Sequence, residues 1–298
     1  MRTRVRIAAK RATLREAIAE ATGTLAEAGI DSARTDAELL AAHLAGIERG
    51  RLAVIDPPDA DFFERFAEAV QRRSQRIPLQ HITGTAPFGP VDVQVGPGVF
   101  IPRPETEAML EWALAQMLPA QTLPDEPVIV DLCTGSGALA IALAASLPHA
   151  RVIGVDDDPS ALAYARRNVD ATGVLLVQGD VTDPELLSEL AGSVDLVVAN
   201  PPYIPADAEL EPEVARHDPA HALFGGPDGM AVIGPIAALA GVWLRTGGLL
   251  AVEHDDTTSA RTVETICATG FFDEVTPHDD LTGRPRFVTA RRQGKVHA

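Results

Sequence analysis

The sequence predicts an α/β protein: a mostly parallel, doubly wound sheet, preceded by a small helical bundle and joined to it by a β-hairpin linker. Three observations carry this prediction. From Pro127 onward, short apolar runs alternate with amphipathic segments, the pattern of parallel strands covered on both faces. Residues 12–75 repeat apolar positions at three- and four-residue spacing with no strand run between them. Between these regions Pro and Gly crowd around the alternating run VDVQV. The boundaries fall at 1–76 for the helical part, 77–99 for the linker and 100–298 for the sheet.

Taken in order, TLREAIAEATGTLAEAG reads as a first helix stopped by Gly29. SARTDAELLAAHLAG is the second, with Ser32 at its N-cap and Gly46 as its stop. DADFFERFAEAVQRRSQ is the third, capped by Asp59 or Asp61. PLQHITGTAPFGPVDVQVGPGVFIPRPETE supplies the hairpin and linker, and Glu107 starts the helix that follows. VIVDL, RVIGVD, VLLVQGD, VDLVVAN, GLLAVEH and RFVTARR then read as strands. GALAIALAASL, PSALAYARRNVDAT, MAVIGPIAALAGVWL and SARTVETICATG read as the helices among them. Ligands of such folds sit beyond the carboxyl ends of the strands.

Charge narrows the function. The chain of 298 residues has a net charge of -17. Residues 1–90 carry 13 Lys and Arg against 12 Asp and Glu, whereas residues 91–298 carry 12 against 30, a net of -18. A surface that acidic repels phosphate backbones, so stable nucleic-acid binding is not expected. Cys133 and Cys267 form neither a disulfide framework nor a zinc spacing, so reduced thiols in a cytoplasmic protein are expected. The basic opening is an exposed lead into the first helix and lacks the apolar core of a signal peptide. The longest apolar stretch, Met230 to Val252, is broken by Pro235, Arg245 and Gly247-Gly248, so no membrane span is expected. His217 and His221 stand four apart without a third ligand, so no metal is expected. Arginine outnumbers lysine 23 to 2, the usage of a GC-rich bacterial genome.

The chemistry begins at VIVDLCTGSGALAIALA, a strand, a glycine turn and a helix. Gly135 and Gly137 permit a tight turn and close backbone approach to a ligand. Asp156 ends the next strand, where a carboxylate accepts two ribose hydroxyls. Asp157 and Asp158 read instead as an acidic turn capping the helix that opens at Pro159. The glycine pattern suits both a dinucleotide and S-adenosylmethionine. Asp131 separates them: a carboxylate before the loop is poorly placed beside a pyrophosphate but suits the ammonium of a methionine moiety. Asp180, at the rim of the same cleft, either accepts from an adenine amino group or only closes a turn.

Asn200 to Tyr203, NPPY, ends the fourth strand at the same sheet edge. Pro201 and Pro202 stop the strand and stiffen the turn. The Asn200 side-chain oxygen and the Pro201 carbonyl can each take one N–H of an NH₂ group. Such a clamp suits methyl transfer to an amide or aromatic amine nitrogen, whose lone pair is delocalised and must be aimed in line with the donor. Tyr203 can pack on the flat face of the substrate.

The motifs PLQHITG (78–84), FIPRPETE (100–107), DLCTGSGALAIALA (131–144), NPPYIP (200–205), GGPDGM (225–230) and GGLLAVEH (247–254) together resemble the HemK/PrmC family. Its members are protein-(glutamine-N5) methyltransferases of peptide-chain release factors. The resemblance covers nearly the whole chain, and DLTGRPRFVTAR (280–291) is similar to the family's last hairpin. It implies a Rossmann-like, S-adenosylmethionine-dependent methyltransferase domain and an N-terminal helical domain that docks class 1 release factors. It further implies N5-methylation of the glutamine in their Gly-Gly-Gln motif. A monomer is expected. Carried over by position, Asn200, Pro201, Pro202 and Tyr203 would hold the glutamine amide. Asp131, Thr134, Gly135 and Gly137 would meet the methionine part, Asp156 the ribose and Asp180 the adenine. Phe100, Arg103, Pro104 and Thr106 would line the cleft. The chain departs from the family at Cys133, where Gly is common, at Asp157-Asp158 and at His217-Asp218. The competing readings are an adenine-N6 methyltransferase of nucleic acid using the same clamp, a dinucleotide-dependent oxidoreductase, which leaves NPPY unexplained, and an S-adenosylmethionine-binding protein without catalysis, against which the intact clamp residues stand.

Overall fold

The computed structural model describes residues 13–54, 60–118, 124–170 and 172–294, in two compact units, Met1–Thr83 and Gly84–Ala298. In the first unit, helices α1 (Leu14–Glu27), α2 (Ala33–Ala45) and α3 (Ala60–Ser74) pack around Leu25, Leu40, Phe62 and Phe66. Helix α1 opens with a reciprocal capping box: Thr13 Oγ1 accepts from Glu16 N and Thr13 N donates to the Glu16 carboxylate. Helix α2 ends at Gly46, whose φ of 65° is the left-handed value of a C-terminal stop. Ser32 occupies the N-cap of α2, but its hydroxyl donates to the Asp36 side chain at 2.8 Å instead of accepting from the backbone. The other oxygen of Asp36 takes the buried Arg73 at 2.7 Å, so a paired charge ties α2 to α3. Asp59 and the basic opening segment lie outside the described residues.

The segment 77–99, read from sequence as one linker, divides between the units. PLQHITG forms helix α4 (Leu79–Thr83) of the first unit. Strands β1 (Thr85–Phe88) and β2 (Val91–Gln94) form an antiparallel hairpin that buries Phe88 and Val93 in the core of the second.

The second unit contains a seven-stranded sheet. In chain order its strands are β3 (Val128–Leu132), β4 (Arg151–Asp156), β5 (Leu175–Gln178), β6 (Val194–Ala199), β7 (Leu244–Glu253), β8 (Phe272–Asp279) and β9 (Pro285–Arg292). Their spatial order is β5-β4-β3-β6-β7-β9-β8, and β9 alone runs against the rest. Residues 272–279 alternate mostly exposed side chains, which hid β8 from a reading based on apolar runs. Helices α5 (Glu107–Met117), α6 (Ala138–Ser146) and α7 (Pro159–Asn168) contribute to the cluster on one face. On the other, Ile233, Ile236 and Trp243 of α9 (Ile233–Trp243) and Ile266 of α10 (Ser259–Ala268) bury against Val130, Val197 and Val252. Strands β3 and β6 are covered on both faces, which explains their unbroken apolar runs. No helix among the described residues is long and apolar enough to cross a membrane.

This order fixes the ligand edge. The chain lays down β3, β4 and β5 in one direction, then returns past β3 to lay down β6. The crevice at such a reversal opens beyond the strands' carboxyl ends. Leu132 lies opposite both Val155 and Ala199, so Cys133, Asp156 and Asn200 sit at one level along that edge.

Candidate active site

Asp131, Gly135, Asp156, Asp180, Asn200 and Tyr203 all line a single cavity at this edge, although they come from four different strand ends. The near wall is made by the turn between β3 and α6. Gly135 has φ 57° and Gly137 φ 84°, values open to glycine at little cost. A Cβ on Gly137 would press into Ile141 and Ala165, so the residue also permits close helix packing. Cys133 has φ 59°, a left-handed conformation in which a side chain is strained. That backbone value accounts for glycine being common there in the family it resembles. Burial and the surrounding aspartates push the Cys133 thiol well above its ordinary value, so it remains protonated.

Asp131 is buried, and one of its oxygens accepts from Thr134 Oγ1 at 2.5 Å and from Ala140 N at 3.1 Å. Desolvation outweighs these two donors and raises its pKa to about 7, with Asp156 adding repulsion. Asp156 uses one oxygen for Gly135 N at 2.8 Å and the other for Asp158 N at 3.0 Å. Burial again raises its pKa. Its carboxylate pins the glycine turn to β4, and each oxygen retains acceptor capacity toward the cavity. Asp158 caps α7 through Ser160 N and Ala161 N, as its place before Pro159 predicted. Asp180 closes a turn through Thr182 N and Oγ1, both on its Oδ1, while still lining the cavity.

This donor set fits S-adenosylmethionine better than a dinucleotide. The Gly135 N–H is already given to Asp156, so it is not free for a phosphate. A buried carboxylate with a raised pKa is stabilised by a cation and repelled by a pyrophosphate.

The far wall holds NPPY. Asn200 Nδ2 donates to Thr106 Oγ1 at 3.1 Å, which turns the amide oxygen away from Thr106. Among the described residues neither Asn200 Oδ1 nor the Pro201 carbonyl has a hydrogen-bond donor against it. Tyr203 is held by its hydroxyl, which donates to Glu253 Oε1 at 2.8 Å. Burial and the Glu253 charge hold that phenol well above its ordinary pKa. The GGPDGM loop braces the turn from behind: Ile204 N donates to Leu223 O at 2.8 Å and Gly225 N to Ile204 O at 2.9 Å. A Cβ on Gly225 would strike the Pro202 carbonyl, and one on Gly229 the Tyr203 carbonyl, so these glycines are required by contact.

Phe100 and Thr106 line the cavity, but Arg103 is not among its lining residues. Its guanidinium lies 4.8 Å above the Phe100 ring and pairs with Asp218, whose side chain is buried. The resemblance placed Arg103 in the cleft; in the structure it ties the segment preceding α5 to the end of α8 (Pro212–His217). Glu107 starts α5, as read from sequence. Sequence reasoning missed Glu253 as a site residue. Its signal was a carboxylate ending the apolar run GLLAVE, where an apolar residue is expected.

Two family descriptions match the chain: the PrmC N-terminal domain over residues 16–84 and the methyltransferase small domain over residues 110–217. A release factor glutamine methyltransferase of Mycolicibacterium smegmatis is 64% identical over 94% of this chain and 98% of its own length. The protein of the same description from Mycobacterium tuberculosis is 62% identical over 95% and 93%. That from Streptomyces coelicolor is 47% identical over 92% and 96%. Among solved structures, the T. thermophilus 16S rRNA N2 G1207 methyltransferase in complex with AdoMet and guanosine shares the fold. Its TM-score is 0.50 at 20% identity, over 70% of this chain and 50% of that one.

Proposed function

We propose that this chain, which belongs to the release factor glutamine methyltransferase family, holds the side-chain amide of a release-factor glutamine in its NPPY turn for N5-methylation. It is an S-adenosylmethionine-dependent methyltransferase. When bound, S-adenosylmethionine supplies an electrophilic methyl on a sulfonium. Asp131 would face its ammonium, Asp156 its ribose hydroxyls and Asp180 its adenine amino group, with Thr134, Gly135 and Gly137 along the methionine part.

The protein's contribution to the chemistry is orientation and charge. An amide nitrogen is a poor nucleophile because its lone pair is delocalised into the carbonyl. Asn200 Oδ1 and the Pro201 carbonyl accept its two N–H groups, which fixes the nitrogen and aims its lone pair. The same oxygens stabilise positive charge as it develops on the nitrogen. That charge acidifies the remaining protons, so one leaves from the held nitrogen to water without a dedicated base. Tyr203, locked through its hydroxyl, and Pro202 flank the planar amide. The observation that carries this reading is the Asn200–Thr106 hydrogen bond, which engages the Asn200 NH₂ and leaves its oxygen without a donor among the described residues.

The test is incubation with S-adenosylmethionine and a class 1 release factor, wild type or with the Gly-Gly-Gln glutamine replaced, read by intact mass. A gain of one methyl on the wild-type factor alone, mapped to that glutamine, is expected. Equal modification of both factors overturns the reading. Methylation of an oligonucleotide control but not of the factor would move the substrate to nucleic acid, against the net of -18 over residues 91–298.

A further inference from the structure

Three of the stretches that line the cavity are far apart in the chain: the glycine turn through Ser136, the acidic edge through Asp156 and Asp158, and the segment after the β1–β2 hairpin through Gly98, Val99 and Phe100. Val95 N donates to Gly84 O across the hairpin. Neighbouring residues of an antiparallel strand point their backbone groups to opposite sides, so Gln94 turns its N–H and C=O away from β1. An open strand edge of this kind leaves its polar groups to solvent. Here a side chain covers it. Asn168 Oδ1 accepts from Gln94 N at 2.8 Å, and Asn168 Nδ2 donates to Gln94 O at 3.0 Å. The same Nδ2 also donates to Ser136 O in the glycine turn, at 2.9 Å.

One half-buried amide therefore spends its acceptor and both of its donors on two backbone stretches. These partners fix its direction, since a reversed amide would set its oxygen against two carbonyls. They also fix the residue type. An ionised aspartate has no N–H for either carbonyl, and leucine, of similar size, has neither donor nor acceptor. Asn168 is the last residue of α7, and Asp158, the N-cap of that helix, lines the cavity at its other end. Tyr164 stands one turn before Asn168 on the same helix face. Its hydroxyl donates to Pro97 O at 3.4 Å, and a Cβ on Gly96 would strike that hydroxyl. Helix α7 thus holds all three stretches, while Asn168 itself is not among the lining residues.

We propose that Asn168 is a positioning residue for the cofactor: it locks residues 94–100 to the glycine turn, so that these two parts of the S-adenosylmethionine site are assembled before the cofactor arrives. The role rests on the reading of this cavity as the cofactor site and is independent of the NPPY clamp. A site assembled in only a fraction of molecules binds more weakly by that fraction.

The test compares wild type with Asn168→Leu and Asn168→Asp by calorimetry with S-adenosylmethionine, by turnover at saturating cofactor and by backbone amide exchange. Both variants should bind S-adenosylmethionine about tenfold or more weakly. Their kcat at saturating cofactor should stay within about threefold of wild type, because the bound cofactor reassembles the site. In ligand-free Asn168→Leu, exchange over residues 94–100 should accelerate, and excess S-adenosylmethionine should slow it again. A merely structural role gives a different split, a lower melting temperature with undiminished affinity, and Asn168→Leu with wild-type affinity overturns the proposal. Should neither variant fold, the wild type decides. Gln94 is exposed, so its N–H exchanges slowly only if the Asn168 bond holds it; exchange at the unprotected rate is equally fatal. In the wild type, S-adenosylmethionine that binds without changing exchange over residues 94–100 would strike the parent reading of the cavity, so the two failures are distinguishable.

Discussion

Two fully buried carboxylates are raised to about pH 7, Asp131 lining one wall of the cavity and Glu253 lying behind the other, against Tyr203. They are held in different ways. Asp131 takes its donors from Thr134 and Ala140, within the same strand–turn–helix unit. Glu253 takes its donor from the Tyr203 hydroxyl, 50 positions away. The near wall is a local device that any chain with this turn carries with it. The far wall exists only after β6, β7 and the start of α5 have met. A binding function therefore rests on local structure and an orienting function on assembled structure, and the two should fail separately.

The largest effect should come from the far wall. Asn200→Ala is expected to reduce kcat by about 10²–10³-fold, as removal of one preorganised charge-stabilising group does. Its S-adenosylmethionine affinity, measured by calorimetry, should remain that of wild type. If affinity fell in parallel, the walls would not be independent. The converse variant, Asp131→Asn, should weaken S-adenosylmethionine binding by about 1.5–3 kcal/mol, the value of a hydrogen bond to a charged group. Its turnover should recover substantially at saturating cofactor, which Asn200→Ala cannot do.

Gly229→Ala probes the brace behind the clamp. Its Cβ would collide with the Tyr203 carbonyl, and φ is 76°, so we expect a loss of about 1–3 kcal/mol in denaturant unfolding. Turnover should fall while cofactor binding is retained. A variant with wild-type turnover would show that the loop does not position NPPY.

Acidity offers a smaller, reversible probe of both walls together. Asp131 and Glu253 are raised to about 7 from 3.8 and 4.5, so the folded chain keeps these protons to higher pH than the unfolded chain. Stability from both groups is present at low pH and is lost as pH rises through the interval up to about 7. Asp280, lowered to about 2, acts in the opposite sense only in stronger acid, while His254 and His278, lowered by burial, offset part of the trend below the ordinary histidine range. The ligand-free protein should therefore melt at lower temperature at about pH 8 than at about pH 5.5. The increase in melting temperature on adding S-adenosylmethionine should grow over the same interval, because only the ionised Asp131 attracts an ammonium. A shift that shrinks with rising pH would remove Asp131 from the cofactor site.

The smallest expected effect is at Cys133. Replacement by glycine relieves a left-handed backbone worth about 1–2 kcal/mol but adds chain entropy to the unfolded state and removes a packed side chain. A net gain of less than about 1 kcal/mol in unfolding free energy, with unchanged turnover, is expected. A marked loss would mean that the thiol packing outweighs the strain.

The sequence revealed most of the near wall. Glycines at the turn, an aspartate before it and another at the next strand end are local patterns, and each lies where that pattern put it. Asp158 as a helix cap and Gly46 as a helix stop were legible for the same reason. Strand β8 and helices α4 and α8 were not, because short or solvent-facing elements leave no apolar period. Arg103 was legible as a held residue, but its partner Asp218 stands 115 positions away and no local pattern links them.

Residue types and their short-range spacing determined the α/β class, the glycine turn, the strand-end carboxylates and the amide-and-proline clamp, since backbone preferences and neighbouring donors act within a few residues. Only the folded sheet decided which way the Asn200 amide points, what holds Tyr203, and why a carboxylate lies buried at the end of β7. Those depend on hydrogen bonds between side chains brought together by strand order, and strand order is written nowhere in the local sequence.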